Sequence, residues 1–308
     1  MTSSAISIRN LRKKYGDTVA LKGIDIDIKD GEFFGLLGPN GAGKTTTINI
    51  LTGLVLRDHG SSDIFGQDTV KNYRFSRSQI GISAQEFAQD WFFPIDRLLY
   101  FQAGYYGISK SNAKNKVDEL LDRLGLEKKR NSRLRQLSGG MKRRFQIAKA
   151  LVHDPKILIL DEPTAGVDVK LRHELWQYFK ELHKNGKTIL LTTHYIEEAE
   201  MLCDQVAIID NGKVITQGTP KELTSKQGDS GITIELSETD IDIKPHLKKF
   251  SFSHIDGRIH FTTHDPEMDL PEIINILTKI GCHIHRVETT KSSLEDVFLK
   301  LTGKGINE

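Results

Sequence analysis

The sequence predicts an α/β protein with a large domain built on a mainly parallel sheet and a small second α/β domain behind it. Three observations carry that expectation. The stretch Gly38 to Thr46, GPNGAGKTT, lies between the buried apolar run Phe33 to Leu37 and a helical pattern over 46–54, which is the strand-turn-helix setting of a phosphate-binding loop. Ile157 to Leu160 is a continuous apolar run, as expected of a parallel strand covered on both faces. Beyond a polar, glycine-bearing stretch at 225–231, the alternation of strand and helix patterns starts afresh.

Taken in order, Ile6 and Ile8, then Ile24, Ile26 and Ile28, alternate with polar residues, which predicts antiparallel strands over 5–37 with a tight turn at Asp30-Gly31. Tyr15 falls between two of these strands, either as a half-buried turn residue or as a stacking platform for a purine. The loop that follows fits G-x-x-x-x-G-K-[ST] through Gly38, Gly43, Lys44 and Thr45, with Pro39, Asn40, Gly41 and Ala42 between and Thr46 behind. Its glycines let backbone N–H groups wrap phosphates, Lys44 supplies a cation, and the Thr45 hydroxyl can ligate Mg²⁺.

Residues 58–80 are polar and turn-rich, and Gln79 to Ser83 suggest a strand that ends at Gln85. Phe87, Trp91, Phe92, Phe93, Tyr100, Phe101, Tyr105 and Tyr106 then form an aromatic cluster, which serves either as core or as an interface. Val117, Leu120, Leu121 and Leu124 mark one face of a helix stopped by Gly125. Ser138, Gly139 and Gly140 open a further helix, a second natural anion site though also an ordinary cap.

Asp161 and Glu162 follow the ILIL strand, and two adjacent carboxylates at the mouth of a buried strand call for a bound cation. A helical stripe from Leu171 to Leu182 ends at Gly186, and a strand from Thr188 leads into His194 at a carboxyl end, where open α/β sheets place ligands. Asn211-Gly212 reads as a two-residue hairpin. In the second domain, strands are expected over 232–236, 259–262 and 283–288, with His283 and His285 on one side, and helices over 270–280 and 292–301.

Composition sets bounds. A chain of 308 residues is long for one domain, where about 150 is usual. Its 43 basic and 41 acidic residues leave a formal charge of +2, so no charge excess demands nucleic acid. Cys203 and Cys282 lie far apart without C-x-x-C spacing, which indicates neither a disulfide framework nor zinc. The apolar runs fall short of the roughly 20 residues of a membrane helix, and MTSSAISIRN lacks the layout of a signal peptide.

Together, these stretches over residues 5 to about 222 resemble the ATPase subunit of an ABC transporter. The resemblance implies a P-loop NTPase of ABC type: a mixed, mainly parallel core sheet with an antiparallel β subdomain and a helical subdomain. With the polar stretch 225–231 taken as a linker, the ATP-binding domain is expected at 1–224 and a small α/β accessory domain at 232–308. The resemblance implies that Tyr15 stacks on adenine, that Gly38 to Thr46 hold the phosphates, and that Gln85 reaches Mg²⁺ and the attacking water. It makes Leu137 to Gly140 the signature, acting on ATP held by another copy, with Met141 standing where glutamine is most familiar. It makes Asp161 the Mg²⁺-side carboxylate, Glu162 the general base, Asp168 the loop residue that crosses to the partner, and His194 the γ-phosphate switch.

The cofactors implied are ATP and Mg²⁺. The partners implied are a second copy of the chain and a separate integral membrane permease at the inner face of the plasma membrane, with the aromatic stretch after Gln85 receiving a short helix from it; no nucleic acid is expected. The stretches AGVD at 165–168, TTHYIEEAE at 192–200 and SLEDVFLKLTG at 293–303 resemble the ABC-2 type, drug-resistance-exporter branch. The rival expectation is a soluble ABC ATPase acting on nucleic acid or the ribosome. Such proteins usually carry two ATPase units in one chain or a coiled coil ahead of the signature, and no heptad run lies between Lys44 and Ser138. A regulator that binds without hydrolysing would lack the carboxylate after Asp161, and Glu162 is present.

Overall fold

The computed structural model describes residues 4–84, 92–227, 230–237, 243–255, 258–263, 266–290 and 292–303. The chain divides into two compact units, Met1–Gln217 and Gly218–Gly305.

In the first unit the strands are β1 (Ser4–Tyr15), β2 (Thr18–Lys29), β3 (Phe33–Leu37), β4 (His59–Ile64), β5 (Gln67–Asp68), β6 (Ile80–Ser83), β7 (Ile157–Asp161), β8 (Thr188–Thr193), β9 (Gln205–Asp210) and β10 (Lys213–Gly218). Its helices are α1 (Lys44–Leu51), α2 (Tyr73–Gln79), α3 (Ile95–Tyr105), α4 (Lys110–Arg123), α5 (Gly139–Leu151), α6 (Val169–Lys184) and α7 (Ile196–Leu202). The period-two pattern of β1 and β2 folds as expected: Ile6 pairs with Ile28 and Ile8 with Ile26, and all four side chains are buried. Among the described residues, these strands join β4 and β5 in one sheet of order β2-β1-β4-β5.

A second sheet runs β10-β9-β3-β8-β7-β6, parallel from β9 through β6. Every residue of β3, β7 and β8 is buried, as continuous apolar runs covered on both faces require. Parallel strands end on the same side, so the chain leaving β3, β7 and β8 shares one edge of this sheet, the edge that open α/β sheets use for ligands. Between β6 and β7, helices α3, α4 and α5 pack on one another. Ser109 caps α4 by accepting from the Asn112 N–H, and Val117, Leu120 and Leu121 are its buried stripe.

The second unit holds α8 (Pro220–Gln227), β11 (Ser230–Leu236), β12 (Ser251–Ile255), β13 (Arg258–Thr263), α9 (Pro266–Lys279), β14 (Ile284–Thr290) and α10 (Leu294–Thr302). Its sheet has the order β12-β13-β11-β14 and is antiparallel. Ile232, Ile234, Ile259, Phe261, Ile273 and Leu277 lie in its core.

Four sequence expectations change. The stretch 58–80 carries β4, β5 and α2; β4 reads as a turn because its sequence HGSSDI has one apolar residue, and its buried Ser62 is satisfied by the Thr69 hydroxyl at 2.6 Å. Strand β12, sequence SFSHI, escapes notice because its two apolar residues, Phe252 and Ile255, are three apart and break the period-two pattern. His283 precedes β14 and is not a strand residue, while His285 lies within it; both are exposed. The compact units part between Gln217 and Gly218, ahead of the expected 225–231 linker, because helix α8 packs against α10 in the second unit.

Candidate active site

Strand β3 delivers its chain into Gly38, and the geometry there leaves no room for a side chain: a Cβ on Gly38 would stand 2.3 Å from the Ile209 carbonyl oxygen. Gly43 has φ of 113°, and a Cβ on it would meet Leu21 Cδ2 at 2.7 Å and the Ala20 carbonyl oxygen at 2.9 Å. The loop is thereby clamped between β2 and the β9–β10 turn, and the Gly212 N–H donates to the Ala42 carbonyl at 3.0 Å. Within it, Gly38, Pro39, Ala42, Gly43 and Lys44 are buried, whereas Asn40, Gly41 and Thr45 are exposed and Thr46 is half-buried.

Lys44 Nζ donates to the carbonyls of Gly38, at 2.5 Å, and Pro39, at 3.1 Å. Burial pushes its pKa below the ordinary lysine value, against the pull of the Glu162 and Asp161 charges.

Those carboxylates sit at the end of β7. Successive strand residues point to opposite faces, yet Asp161 and Glu162 both engage alternate residues of the neighbouring chain. Thr192 Oγ1 donates to Asp161 Oδ1 at 2.5 Å, and His194 Nδ1 lies 3.3 Å from Glu162 Oε2. The backbone explains it: Glu162 has φ of 49°, the left-handed region that a non-glycine residue enters at a cost, and its N–H donates to the Thr192 carbonyl at 2.9 Å. Burial raises the Asp161 pKa, while the hydrogen bond from His194 lowers that of Glu162 against burial.

Arg143 completes this cluster, and sequence reasoning missed it. Only 5% exposed, it donates through Nη1 to the Ala84 carbonyl at 3.3 Å and to Gln146 Oε1 at 3.1 Å. Burial lowers its pKa, and the charges of Glu162 and Asp161 oppose that effect. No local pattern marks it: Arg143 and Gln146 share one buried stripe of α5 with Ile147 and Ala150, and only the folded chain shows what meets the cation there.

The remaining site residues are placed apart. Ser138 caps α5, its hydroxyl accepting from the Met141 N–H at 3.3 Å, and Ser138 and Gly139 are exposed. Asp168 caps α6 by accepting from the Leu171 N–H at 3.0 Å. Gly140 abuts α6, since a Cβ on it would stand 2.6 Å from Leu171 Cδ2. No hydrogen bond joins Ser138, Gly139 or Gly140 to the phosphate-binding loop among the described residues. Tyr15 lies at the β1–β2 turn, its ring 45% exposed with Lys13 Nζ 5.2 Å from the centroid. Gln85, Phe87 and Trp91 lie outside the described residues. Of the aromatic cluster beyond them, Phe92, Phe93, Phe101 and Tyr105 are exposed, which sets the core reading aside for these four rings.

The pieces suit a nucleoside triphosphate and a divalent cation. A buried ammonium beside backbone too close-packed for any Cβ suits phosphate oxygens. A buried carboxylate whose pKa is raised by desolvation suits a nearby cation, and a magnesium ion ordinarily takes one or two protein oxygens, its other ligands being water and phosphate.

The sequence matches the family described as ABC transporter over residues 21–165. Residues 218–302 match the family described as ATP-binding protein DrrA1-3-like, C-terminal domain. A relative named Nod factor export ATP-binding protein I, from Burkholderia orbicola (strain AU 1054), is 37% identical over 311 residues, spanning 100% of both chains. A solved structure described as the ATP binding subunit of an ABC transporter superposes with a TM-score of 0.68 at 29% identity, covering 73% of this chain and 93% of that one. A dimeric ATP-binding cassette in a post-hydrolysis state, bound to ADP and Pi, gives 0.65 at 28% identity, covering 70% and 98%. With a relative matched along its whole length, the chain belongs to the ATP-binding subunits of ABC transporters, in the branch that carries a DrrA1-3-like C-terminal domain.

Proposed function

We propose that this chain binds ATP with Mg²⁺ and hydrolyses it to drive export of the ABC-2 type through a separate integral membrane permease. Two copies would close head to tail, each with its Gly38 to Thr46 loop facing the other's Ser138 to Gly140. The observation that supports this most directly is the pairing of Glu162 and His194 at the ends of adjacent parallel strands, beside the lysine-bearing loop.

In this reading Lys44 and the loop amides hold the β- and γ-phosphates and Tyr15 stacks on the adenine. Glu162, kept ionised by His194, accepts a proton from the attacking water, and His194 also contacts the γ-phosphate. Thr45, Gln85 and Asp161, the last through water, would hold Mg²⁺, which neutralises charge developing on the phosphate oxygens. Asp168 contacts the second copy across the interface. Export is carried over from the relatives' name, and the place of action follows from it: the inner face of the plasma membrane, reached through the permease. Among the described residues no helix is long and apolar enough to cross a membrane.

Phosphate release by purified protein, alone and with its permease, with and without Mg²⁺, tests the reading. Hydrolysis should need Mg²⁺ and should vanish in Glu162→Gln. Release at equal rates in wild type and Glu162→Gln, or without any divalent cation, overturns it.

A further inference from the structure

Glu198, on α7, is fully buried, at 0% exposure. Its Oε1 accepts two hydrogen bonds, from Thr164 Oγ1 at 3.1 Å and from Trp176 Nε1 at 2.9 Å. Its Oε2 meets no partner at full hydrogen-bond geometry among the described residues, although the Thr193 hydroxyl still acts on the carboxyl. Burial raises its pKa, against the hydroxyls of Thr193 and Thr164 and the indole of Trp176. A buried carboxyl with one oxygen short of a full hydrogen bond is costly, and an apolar residue would pack α7 at less expense.

What the carboxyl joins gives it a purpose. Thr164 is two residues beyond Glu162, in the loop that runs to Asp168. Trp176 lies on α6, the helix that Asp168 caps. On its own side, the Glu198 backbone N–H donates to the Tyr195 carbonyl at 3.1 Å, so the start of α7, which carries this side chain, is anchored to the turn that begins at His194. A second tie runs in parallel, since the Arg172 guanidinium of α6 lies 4.2 Å from the centroid of the Tyr195 ring. The segment carrying Asp168 and the turn carrying His194 are therefore joined twice, through Glu198 and through the Arg172–Tyr195 contact.

We propose that Glu198 is a positioning residue: through Thr164 it ties the Glu162 to Asp168 loop to the His194 turn, so that contact at the dimer-facing loop sets the spacing of Glu162 and His194. A hydrogen bond weakens steeply once stretched or bent, so a shift of the loop either carries the His194 turn with it or breaks the bond. This inference rests on the roles proposed above for Glu162 and His194.

The test is steady-state ATPase kinetics on the full chain, with melting temperature measured for each variant. Thr164→Val removes the loop-side donor while keeping shape, and should lower kcat at least about fivefold with KM for ATP within about twofold. Trp176→Phe removes the helix-side donor and should keep kcat within about twofold, whatever it does to the melting temperature. Glu198→Gln retains the accepting oxygen and should keep kcat within about threefold, whereas Glu198→Ala should fall at least as far as Thr164→Val. Unchanged kcat in Thr164→Val, or losses in Thr164→Val and Trp176→Phe that simply track melting temperature, overturns the proposal. Should Thr164→Val not fold, Thr164→Ser against Thr164→Ala decides the same point, because activity must follow the hydroxyl. A Glu162→Gln chain that still hydrolyses ATP would instead sink the underlying reading of the site.

Discussion

His194 Nδ1 stands 3.3 Å from Glu162 Oε2, bridging the ends of β8 and β7, and this contact is the leading cause of the lowered Glu162 pKa. A carboxylate kept ionised can accept a proton, and an amide of the same shape cannot. Glu162→Gln should therefore bind ATP with near wild-type affinity while losing about 100-fold or more in turnover. Titration calorimetry and phosphate release check the two halves, and hydrolysis near the wild-type rate would refute the general-base role.

The exposed Ser138–Gly139 face, without a hydrogen bond to the phosphate-binding loop of its own chain, fits a site shared between two copies. Ser138→Arg and Lys44→Ala chains should each be inactive alone. Mixed, they should regain activity, because one composite site carries both lesions and the other carries neither. Losing the Ser138 cap also costs about 1 kcal/mol, so each chain is first checked by thermal melting. Mixtures no more active than either parent would mean that the site is complete within one chain.

Phe92 is 72% exposed, whereas Leu99, seven residues on, is 0% exposed. Truncating an exposed ring sacrifices little burial, while Leu99→Ala opens a cavity at a cost of about 2–5 kcal/mol. Phe92→Ala should melt within a few degrees of wild type, hydrolyse ATP and fail to co-purify with the permease. Normal assembly by this variant would move the permease contact elsewhere on the surface.

His153 stacks on Tyr106 with ring centroids 3.6 Å apart, and its Nε2 lies 3.1 Å from the Ile80 carbonyl oxygen. Burial lowers its pKa from 6.5 to about 4, outweighing the Ile80 carbonyl and the Asp154 charge. Since the folded value lies below the unfolded one, the unfolded chain binds more protons in between. The stabilisation is thus complete above about pH 6.5 and is lost as pH falls towards 4, on the order of 2 kcal/mol after allowance for solvent screening. Melting of wild type should drop more steeply over that window than melting of His153→Phe, and parallel curves would contradict the assignment.

Local spacing made the phosphate-binding loop, the strand ends at Asp161 and His194, and the helix start at Ser138 legible from sequence, because each depends on residues within one turn of chain. Arg143 and Glu198 were not legible: each is a charge on a stripe of buried positions, and each has a partner on another element, Ala84 for the one and Thr164 for the other. The left-handed backbone at Glu162, which turns two neighbouring carboxylates towards one strand, leaves no compositional trace either. The boundary near 218 was missed because α8, sequence PKELTSKQ, reads alone as the end of the first domain running into a linker at 225–231, and its buried leucine, Leu223, matters only once α10 is beside it.

That pairing of the first and last helices makes the second unit a self-closing module. Leu294, Val297 and Phe298 of α10 are buried in a unit whose cover includes α8. A fragment begun at 232, where composition alone would cut, strips that cover and leaves a sticky apolar face, prone to aggregate. One begun at Gly218 carries its own lid, so grafting or deleting this module as an intact piece depends on the stretch 218–231, which looks like spare string.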